Sequence, residues 1–184
     1  MFVKWLNKKY PSFIANESDE NFVEPSYELS PSHIIGSGTE ANVYKTSNPD
    51  IVLRLEEKIH NRSIGSCEKV MMRPEIQATG GVAKIYSEKK INGKNATFKE
   101  RVDPEWMDYI ENKYSRMISI RIFNTIQSFD LYTGDEFKQK LYFLKGFEEF
   151  MNLADAIEKG LPVDDLHASN LGLNKKGHIV AIDC

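Results

Sequence analysis

Residues 34–54 read IIGSGTEANVYKTSNPDIVLR, and they carry the clearest fold signal in the chain. Two short runs of mainly apolar residues flank a turn that contains Gly36 and Gly38, and the tetrapeptide SNPD precedes a third run. Apolar runs separated by glycine, proline, asparagine and aspartate are typical of strands joined by tight turns. We therefore expect three consecutive strands here.

The strand pattern continues to about residue 102. The runs VAKIYSEKK and NATFKERV are joined by INGK, a tight-turn sequence. Ahead of them, residues 61–72 are compatible with a helix that ends near Arg73, because Pro74 disfavours helical geometry in the residue before it. The first 26 residues are polar and acidic without sustained periodicity, and we expect a loosely attached arm.

After Asp103 the pattern is mainly helical. The stretch DPEWMDYIENKYSRM starts with an acidic residue and a proline, a usual helix start. Thr133 and Glu136 form a capping-box pattern ahead of a long amphipathic run, and the apolar spacing predicts one helix that ends at Gly160. The tail offers LGL, the turn NKKG and HIVAID, which predict a strand pair. A strand-rich first half and a helical second half indicate an α+β fold.

The 184-residue chain has an ordinary globular composition, with 41% hydrophobic and 28% charged residues. Its net charge of −3 gives no general attraction to nucleic acid or to an anionic membrane. The two cysteines, Cys67 and Cys184, predict no disulfide framework and favour a reducing cytoplasm. Because of the net charge, we expect no nucleic acid as a partner. No apolar run is long enough for a signal peptide or a membrane helix, so we expect no membrane partner either.

Residues 161–184, LPVDDLHASNLGLNKKGHIVAIDC, hold a second group of polar side chains. Asp165 and Asn170 are five positions apart, and Asp183 follows the predicted strand pair. The oxygens of Asn170 and Asp183 are hard ligands of the kind that Mg²⁺ accepts. Taken singly, these residues are also explained as a capping loop and a solvated end residue, and Gly36 and Gly38 as an ordinary turn. Only the combination points to a function.

Together these segments resemble the protein-kinase-like superfamily, from about Tyr27 to the end of the chain. Asp165 to Asn170 fits D-L-x-x-x-N, the catalytic-loop pattern, and Asp183 stands where the family has its metal-binding aspartate. The turn reads G-x-G-x-x-A-x-V, the glycine-rich loop with alanine for its third glycine. IVLR matches V-A-I-K with Arg54 for the lysine, and KERV at residues 99–102 resembles the segment between the lobes, where adenine meets the backbone.

The resemblance implies a two-lobe fold with ATP and Mg²⁺ as cofactors. Its parts would be an arm over residues 1–26, an antiparallel N-lobe over residues 27–102 and a truncated, mainly helical C-lobe over residues 103–184. The implied catalytic residues are a base, a phosphate-holding cation and the carboxylate that fixes this cation: Asp165, Arg54 and Glu68, with Glu75 as the alternative carboxylate. The implied nucleotide-binding residues are Gly36, Ser37, Gly38, Val43, Arg54, Glu100 and Val102, and the implied metal ligands are Asn170 and Asp183.

The chain departs from the family pattern in three ways. Arg54 replaces the lysine, Val163-Asp164 stands in place of His-Arg, and the sequence ends one residue after Asp183, without an activation segment. We therefore expect the acceptor to be held by the arm, by residues 118–132 or by a partner protein. The compact size resembles minimal kinases of phages and bacterial effectors, for which the compartment would be the host cytoplasm.

Three functions stay open on this basis. The first is transfer of the γ-phosphoryl group of ATP to a hydroxyl, with serine or threonine of a protein as the favoured acceptor, alone or with an activating partner. The second is a pseudokinase-like module that holds a nucleotide or a partner without turnover. The third is a small-molecule kinase, which the DLH tripeptide at residues 165–167 suggests. The intact set of Asp165, Asn170 and Asp183 favours the first over the second, since a binding module needs no base.

Overall fold

A computed structural model describes residues 22–38, 41–56, 70–127, 141, 144–160 and 168–183. The chain divides into two compact units, the first comprising Met1–Ala78 with Lys84–Arg101 and the second comprising Thr79–Ala83 with Val102–Cys184. The predicted α+β class is confirmed, while the lobe boundaries predicted at residues 26 and 102 stay a prediction. In the described ranges no helix combines the length and the apolar character that crossing a membrane requires.

The first unit is built on a five-stranded antiparallel sheet with the order β1-β2-β3-β5-β4. Its strands are β1 (Ile34–Ser37), β2 (Ala41–Lys45), β3 (Ile51–Glu56), β4 (Ile85–Ile91) and β5 (Lys94–Glu100). Asn92 and Gly93 join β4 to β5, and both have the positive φ (51° and 79°) that a tight two-residue hairpin turn favours. The predicted strands are thus confirmed, except that β4 begins at Ile85 and not at Val82, and β5 ends at Glu100 and not at Val102.

The helix predicted over residues 61–72 lies mostly outside the described residues. Of its last residues, Val70 and Met71 are helical. A separate helical turn, α1 (Pro74–Gln77), starts at its proline. Proline suits this position because the N–H of the first helical residue makes no intrahelical hydrogen bond. Met71 and Ile76 are fully buried.

Strand β3 lies at the centre of the sheet, and residues of both its faces are buried. One face packs in an apolar cluster made by β2, β3 and β5, whose buried members are Tyr44, Ile51, Leu53, Leu55, Ala96 and Phe98. Phe22 and Tyr27 pack against this cluster, and the Tyr27 ring meets the Phe98 ring edge to face at 5.7 Å. The described end of the predicted arm therefore covers the apolar face of the sheet.

A lysine on β4 strengthens this docking. The Lys89 ammonium donates a hydrogen bond to the Glu24 carboxylate and lies 5.0 Å from the centroid of the Tyr27 ring. The hydrogen bond to Glu24 raises the pKa of Lys89, and partial desolvation opposes it. The segment around residues 22–27 is thus held to the sheet by both apolar and polar contacts.

The second unit contains the helices α2 (Trp106–Lys113), α3 (Arg116–Gln127) and α4 (Glu148–Glu158) among its described residues. Trp106 anchors the start of α2, because its indole N–H donates to the backbone oxygen of Ala168 at 3.2 Å and its ring meets Phe147 edge to face. Of the expected acceptor-holding segment, residues 118–127 lie in α3 and the remainder lies outside the described residues. The predicted capping box, Thr133 and Glu136, also lies outside them.

The prediction of one helix up to Gly160 is wrong for residues 144–147, while most of the residues before them lie outside the described ranges. Residues 144–147 form a turn, and α4 begins only after them. Gly146 has φ +103°, and a Cβ at this position would lie 2.6 Å from the backbone oxygen of Gly177. Its own carbonyl accepts a hydrogen bond from Ile179 at 2.6 Å, so the chain breaks the helix to pair with a strand. The apolar spacing continues across the break because it reports burial and not helical hydrogen bonding.

The predicted strand pair of the tail is confirmed as β6 (Leu171–Leu173) and β7 (Ile179–Ala181). Residues 81–83 add a parallel neighbour to β7, since the Ala83 N–H donates to Ala181 and the Ala181 N–H donates to Gly81, each at 2.8 Å. On the other side, Asp103 and Leu173 exchange two backbone hydrogen bonds of 2.8 and 2.7 Å. The pairing of residues 81–83 with β7 explains why β4 starts only at Ile85.

Gly81 lies against α4 with no room for a side chain. A Cβ there would approach the backbone oxygen of Glu149 and the Cβ of Leu153 at 2.5 Å each. We expect Gly81→Ala to lower the free energy of unfolding by about 1–3 kcal/mol, the usual range for overpacking, as measured by urea denaturation. Gly38→Ala is the matched control, because its Cβ would lie 3.8 Å from its nearest neighbour. Equal losses in the two variants would contradict this packing.

Candidate functional site

The turn between β1 and β2 holds the first group of predicted site residues, all in the first unit. The Gly38 N–H donates to the backbone oxygen of Ala41 at 2.9 Å, which closes the turn. The Ser37 hydroxyl donates to Asn42 Oδ1 at 2.6 Å and so links β1 to β2 next to the turn. Residues 39 and 40 lie outside the described residues.

The fold itself does not require glycine at position 36 or 38. Neither residue is among those with positive φ. A Cβ at Gly36 would lie 3.7 Å from Val43 Cβ and one at Gly38 would lie 3.8 Å from the Ala41 oxygen, which is ordinary contact. Glycines that neither the backbone nor the packing demands are consistent with close approach of the backbone to a ligand.

Arg54 lies on the same face of the sheet as Gly36, the first glycine of this turn. Gly36 pairs with Val43 and Val43 pairs with Arg54, and directly paired residues share a face. Strand alternation puts Val52 on the same face. The Arg54 side chain is only 11% exposed, so it is not a solvated surface charge.

A carboxylate of β3 itself, Glu56, pairs with this arginine. Arg54 Nη1 lies 3.4 Å from Glu56 Oε1, and the Glu56 side chain is 8% exposed. The second carboxylate oxygen, Oε2, accepts a hydrogen bond from Asn95 Nδ2 on β5 at 2.8 Å. Both oxygens of Glu56 are thereby engaged, one by a cation and the other by an amide.

The resemblance assigned two other carboxylates to Arg54. Glu68, the first choice, lies outside the described residues. Glu75, the alternative, forms an ion pair with Arg73 at 2.9 Å. Sequence reasoning missed Glu56, although the period of a strand could have found it, since residues i and i+2 point to the same face.

Further polar residues are buried on the Arg54 face. Thr97 pairs directly with Arg54 and is 3% exposed, and Lys99 pairs with Val52 and is 6% exposed. Lysine and glutamate are almost never buried unless they are paired. A buried polar strip therefore runs across β3 and β5, opposite the apolar cluster on the other face.

The second unit brings Asn170 and Asp183 to the same end of the β6–β7 hairpin. Asn170 ends the short 3₁₀ turn Ala168–Asn170, and its backbone oxygen accepts a hydrogen bond from the Ile182 N–H at 2.7 Å. Asp183 follows Ile182 directly, and the side chains of Asn170 and Asp183 are half-buried. Asp165 lies outside the described residues.

This donor set fits Mg²⁺. An aspartate carboxylate and an asparagine carbonyl are hard oxygen ligands, and Mg²⁺ in nucleotide sites usually takes one or two carboxylates together with phosphates and waters. The backbone hydrogen bond next to Asp183 fixes the two chain segments that carry these oxygens. Within the described ranges, no group of three or more His, Cys, Asp or Glu side chains forms an all-protein metal site.

The backbone around residues 100–102 carries the predicted adenine contacts. The Glu100 N–H donates to the Lys84 oxygen at 2.7 Å, so this donor is used within the sheet of the first unit. In the second unit, Asp103 exchanges both of its hydrogen bonds with Leu173. In an antiparallel pair, successive residues point their backbone N–H and C=O groups alternately toward and away from the partner strand. The N–H and the C=O of Val102 therefore point away from β6.

Comparison with known proteins assigns no family to the chain: no family model matches it, and no curated protein matches it. Its function must therefore be inferred from the residues themselves. The first unit contributes a glycine turn, a paired arginine and a buried polar strip. Described by itself, the second unit carries Asn170 and Asp183 at one end of the β6–β7 hairpin and a backbone edge at Val102.

Proposed function

We propose that the protein is an ATP- and Mg²⁺-dependent phosphotransferase that moves the γ-phosphoryl group of ATP to a hydroxyl, with serine or threonine of a protein as the acceptor. The observation that carries this proposal is the row of paired residues Gly36, Val43 and Arg54 across β1, β2 and β3. It joins a glycine turn that tolerates a close ligand to a partly buried cation. The third strand is also where protein kinases keep their phosphate-holding lysine.

Each residue type suits the chemistry assigned to it. Phosphoryl transfer depends mainly on positioning and charge neutralisation, since the transferred group moves with little covalent help. Backbone N–H groups of the glycine turn, other than that of Gly38, which donates to Ala41, would hold phosphate oxygens, and Arg54 would hold the α- and β-phosphates. Asn170 and Asp183 would hold Mg²⁺, which supplies neutralisation of the phosphate charge.

Asp165 is the proposed base, which would accept the proton of the acceptor hydroxyl. Its role depends on the D-L-x-x-x-N pattern, in which a carboxylate precedes the metal-binding asparagine by five positions. Val102 is the proposed adenine contact, because its backbone edge offers a donor and an acceptor. Adenine also carries both donor and acceptor groups along its edges.

A module that binds a nucleotide or a partner without turnover is the second candidate. The observation that favours it is the charge at position 54, where an arginine already paired with Glu56 replaces the expected lysine. A planar guanidinium is not equivalent to a compact ammonium at a phosphate. In either case we place the protein in the cytoplasm, with a protein substrate or an activating partner.

The metal role is tested by Asp183→Asn. Removing one anionic ligand should weaken the binding of Mg²⁺-bound ATP by about 10- to 100-fold, the usual cost of disturbing a metal site. Calorimetry should show that Mg²⁺ strengthens ATP binding to the wild type and that the variant loses most of this gain. Asp108→Asn, at an exposed position of α2, is the matched control. Equal ATP affinity of the wild type with and without Mg²⁺ would remove the metal role.

Transfer activity is tested by Asp165→Asn. The amide keeps the shape of the carboxylate but cannot accept the proton, so phosphorylation of lysate proteins from γ-labelled ATP should fall about 10²- to 10⁴-fold. MgATP affinity and thermal stability should stay close to wild type. Asp164→Asn changes the adjacent carboxylate, which lies outside the D-L-x-x-x-N pattern, and should cost far less. Equal losses at both positions would refute the catalytic role, and a wild type that binds MgATP without any transfer would favour the second candidate.

A further inference from the structure

Glu56 is a buried carboxylate to which neither the sequence pattern nor the proposed chemistry assigns a role. It lies two residues after Arg54 on the same strand and the same face. We infer that Glu56, held by Asn95, positions the Arg54 guanidinium for the phosphates. This inference rests on the proposed function.

The hydrogen bonding of Glu56 divides its carboxylate between two partners. Asn95 on the neighbouring strand donates to Oε2 at 2.8 Å, and Oε1 faces Arg54 Nη1 at 3.4 Å. The amide of Asn95 therefore fixes the orientation of the carboxylate, and the carboxylate in turn fixes one edge of the guanidinium. Because Glu56 and Asn95 both belong to the five-stranded sheet, this support depends on no loop.

Arginine suits this arrangement better than lysine does. A guanidinium carries five N–H donors in a rigid plane, so a contact at one edge with Glu56 does not exhaust its capacity. A lysine ammonium is a compact point charge, and pairing it closely with Glu56 would draw that charge to the carboxylate. An arginine at position 54, where the kinase pattern has lysine, is therefore compatible with a close carboxylate at position 56.

Burial makes the pair strongly coupled. The two side chains are 11% and 8% exposed, so each charge would be poorly solvated without the other. Breaking a buried pair by removing one partner is far more costly than removing both. The effect of a Glu56 substitution should therefore depend on whether Arg54 is still present.

The test is a double-mutant cycle on the full-length chain, with MgATP as the probe. Its variants are Glu56→Gln, Arg54→Gln and the double variant. Glu88→Gln is the matched control: Glu88 pairs with Thr97, and Thr97 pairs with Arg54, so Glu88 lies on the same face about 10 Å away, two strand spacings. MgATP affinity is measured by calorimetry and unfolding by thermal melts.

We expect Glu56→Gln to weaken MgATP binding by about 3- to 30-fold in the wild-type background, within the range of coupling between contacting residues. In the Arg54→Gln background the same change should alter affinity by less than about 2-fold, as for independent sites. Glu56→Asp, which keeps the charge, should recover part of the loss. Asn95→Ala should act in the same direction as Glu56→Gln but more weakly.

Three outcomes would overturn the inference. Glu56→Gln could match Glu88→Gln in MgATP affinity, or its effect could be the same with and without Arg54, and either result would leave the proposed function standing. In the third outcome the wild type binds no MgATP, while the melts still show coupling between positions 54 and 56. The proposed function would then fail, and Glu56 would be only the structural partner of Arg54.

Discussion

The buried ion pair between Arg54 and Glu56 constrains the sheet of the first unit. Two opposite charges on the central strand lie away from water, which is costly unless they face each other and their other groups are satisfied. Asn95 satisfies the second oxygen of Glu56, and Asn95 is in place only if β5 pairs with β3 in the observed register. A slip of one residue would put both charges among the aromatic side chains of the opposite face. The pair therefore fixes the register of the sheet as well as the position of a cation.

That register is what relates the cation to the glycine turn. Val43 pairs with Gly36 on one side and with Arg54 on the other, so the turn and the guanidinium belong to neighbouring positions of one face. The aromatic residues, including Phe22 and Tyr27 from the segment before β1, occupy the opposite face. Under the proposed function, one side of the sheet would stabilise the unit and the other side would bind the nucleotide. In the second unit a hairpin performs the comparable task, since its pairing sets Asn170 opposite Ile182, the residue before Asp183.

The sequence predicted the strands of the sheet because their signals are local. Turn residues such as Asn92 and Gly93 mark where the strands end, and apolar runs form the strands between the turns. The sequence did not predict the turn at residues 144–147, because its Gly146 pairs through a backbone hydrogen bond with a residue 33 positions later, Ile179. The pairing of residues 81–83 with β7 was missed for the same reason, since no local pattern encodes a partner 100 residues away. The site residues assigned from the family-like motifs stay predictions. The sequence analysis missed the ion pair of Glu56 with Arg54, because a charged residue at the end of a strand resembles a solvated one.

The central claim is that the glycine turn of the first unit and the hairpin end of the second unit both serve MgATP. Backbone amide NMR of the ¹⁵N-labelled protein tests it directly. On titration with MgATP, the amides of Gly36, Gly38 and Ile182 should shift with one common dissociation constant. The amide of Gly177, in the turn at the opposite end of the β6–β7 hairpin from Asp183, should not move. Shifts confined to one unit, or none at any of these amides, would contradict the account.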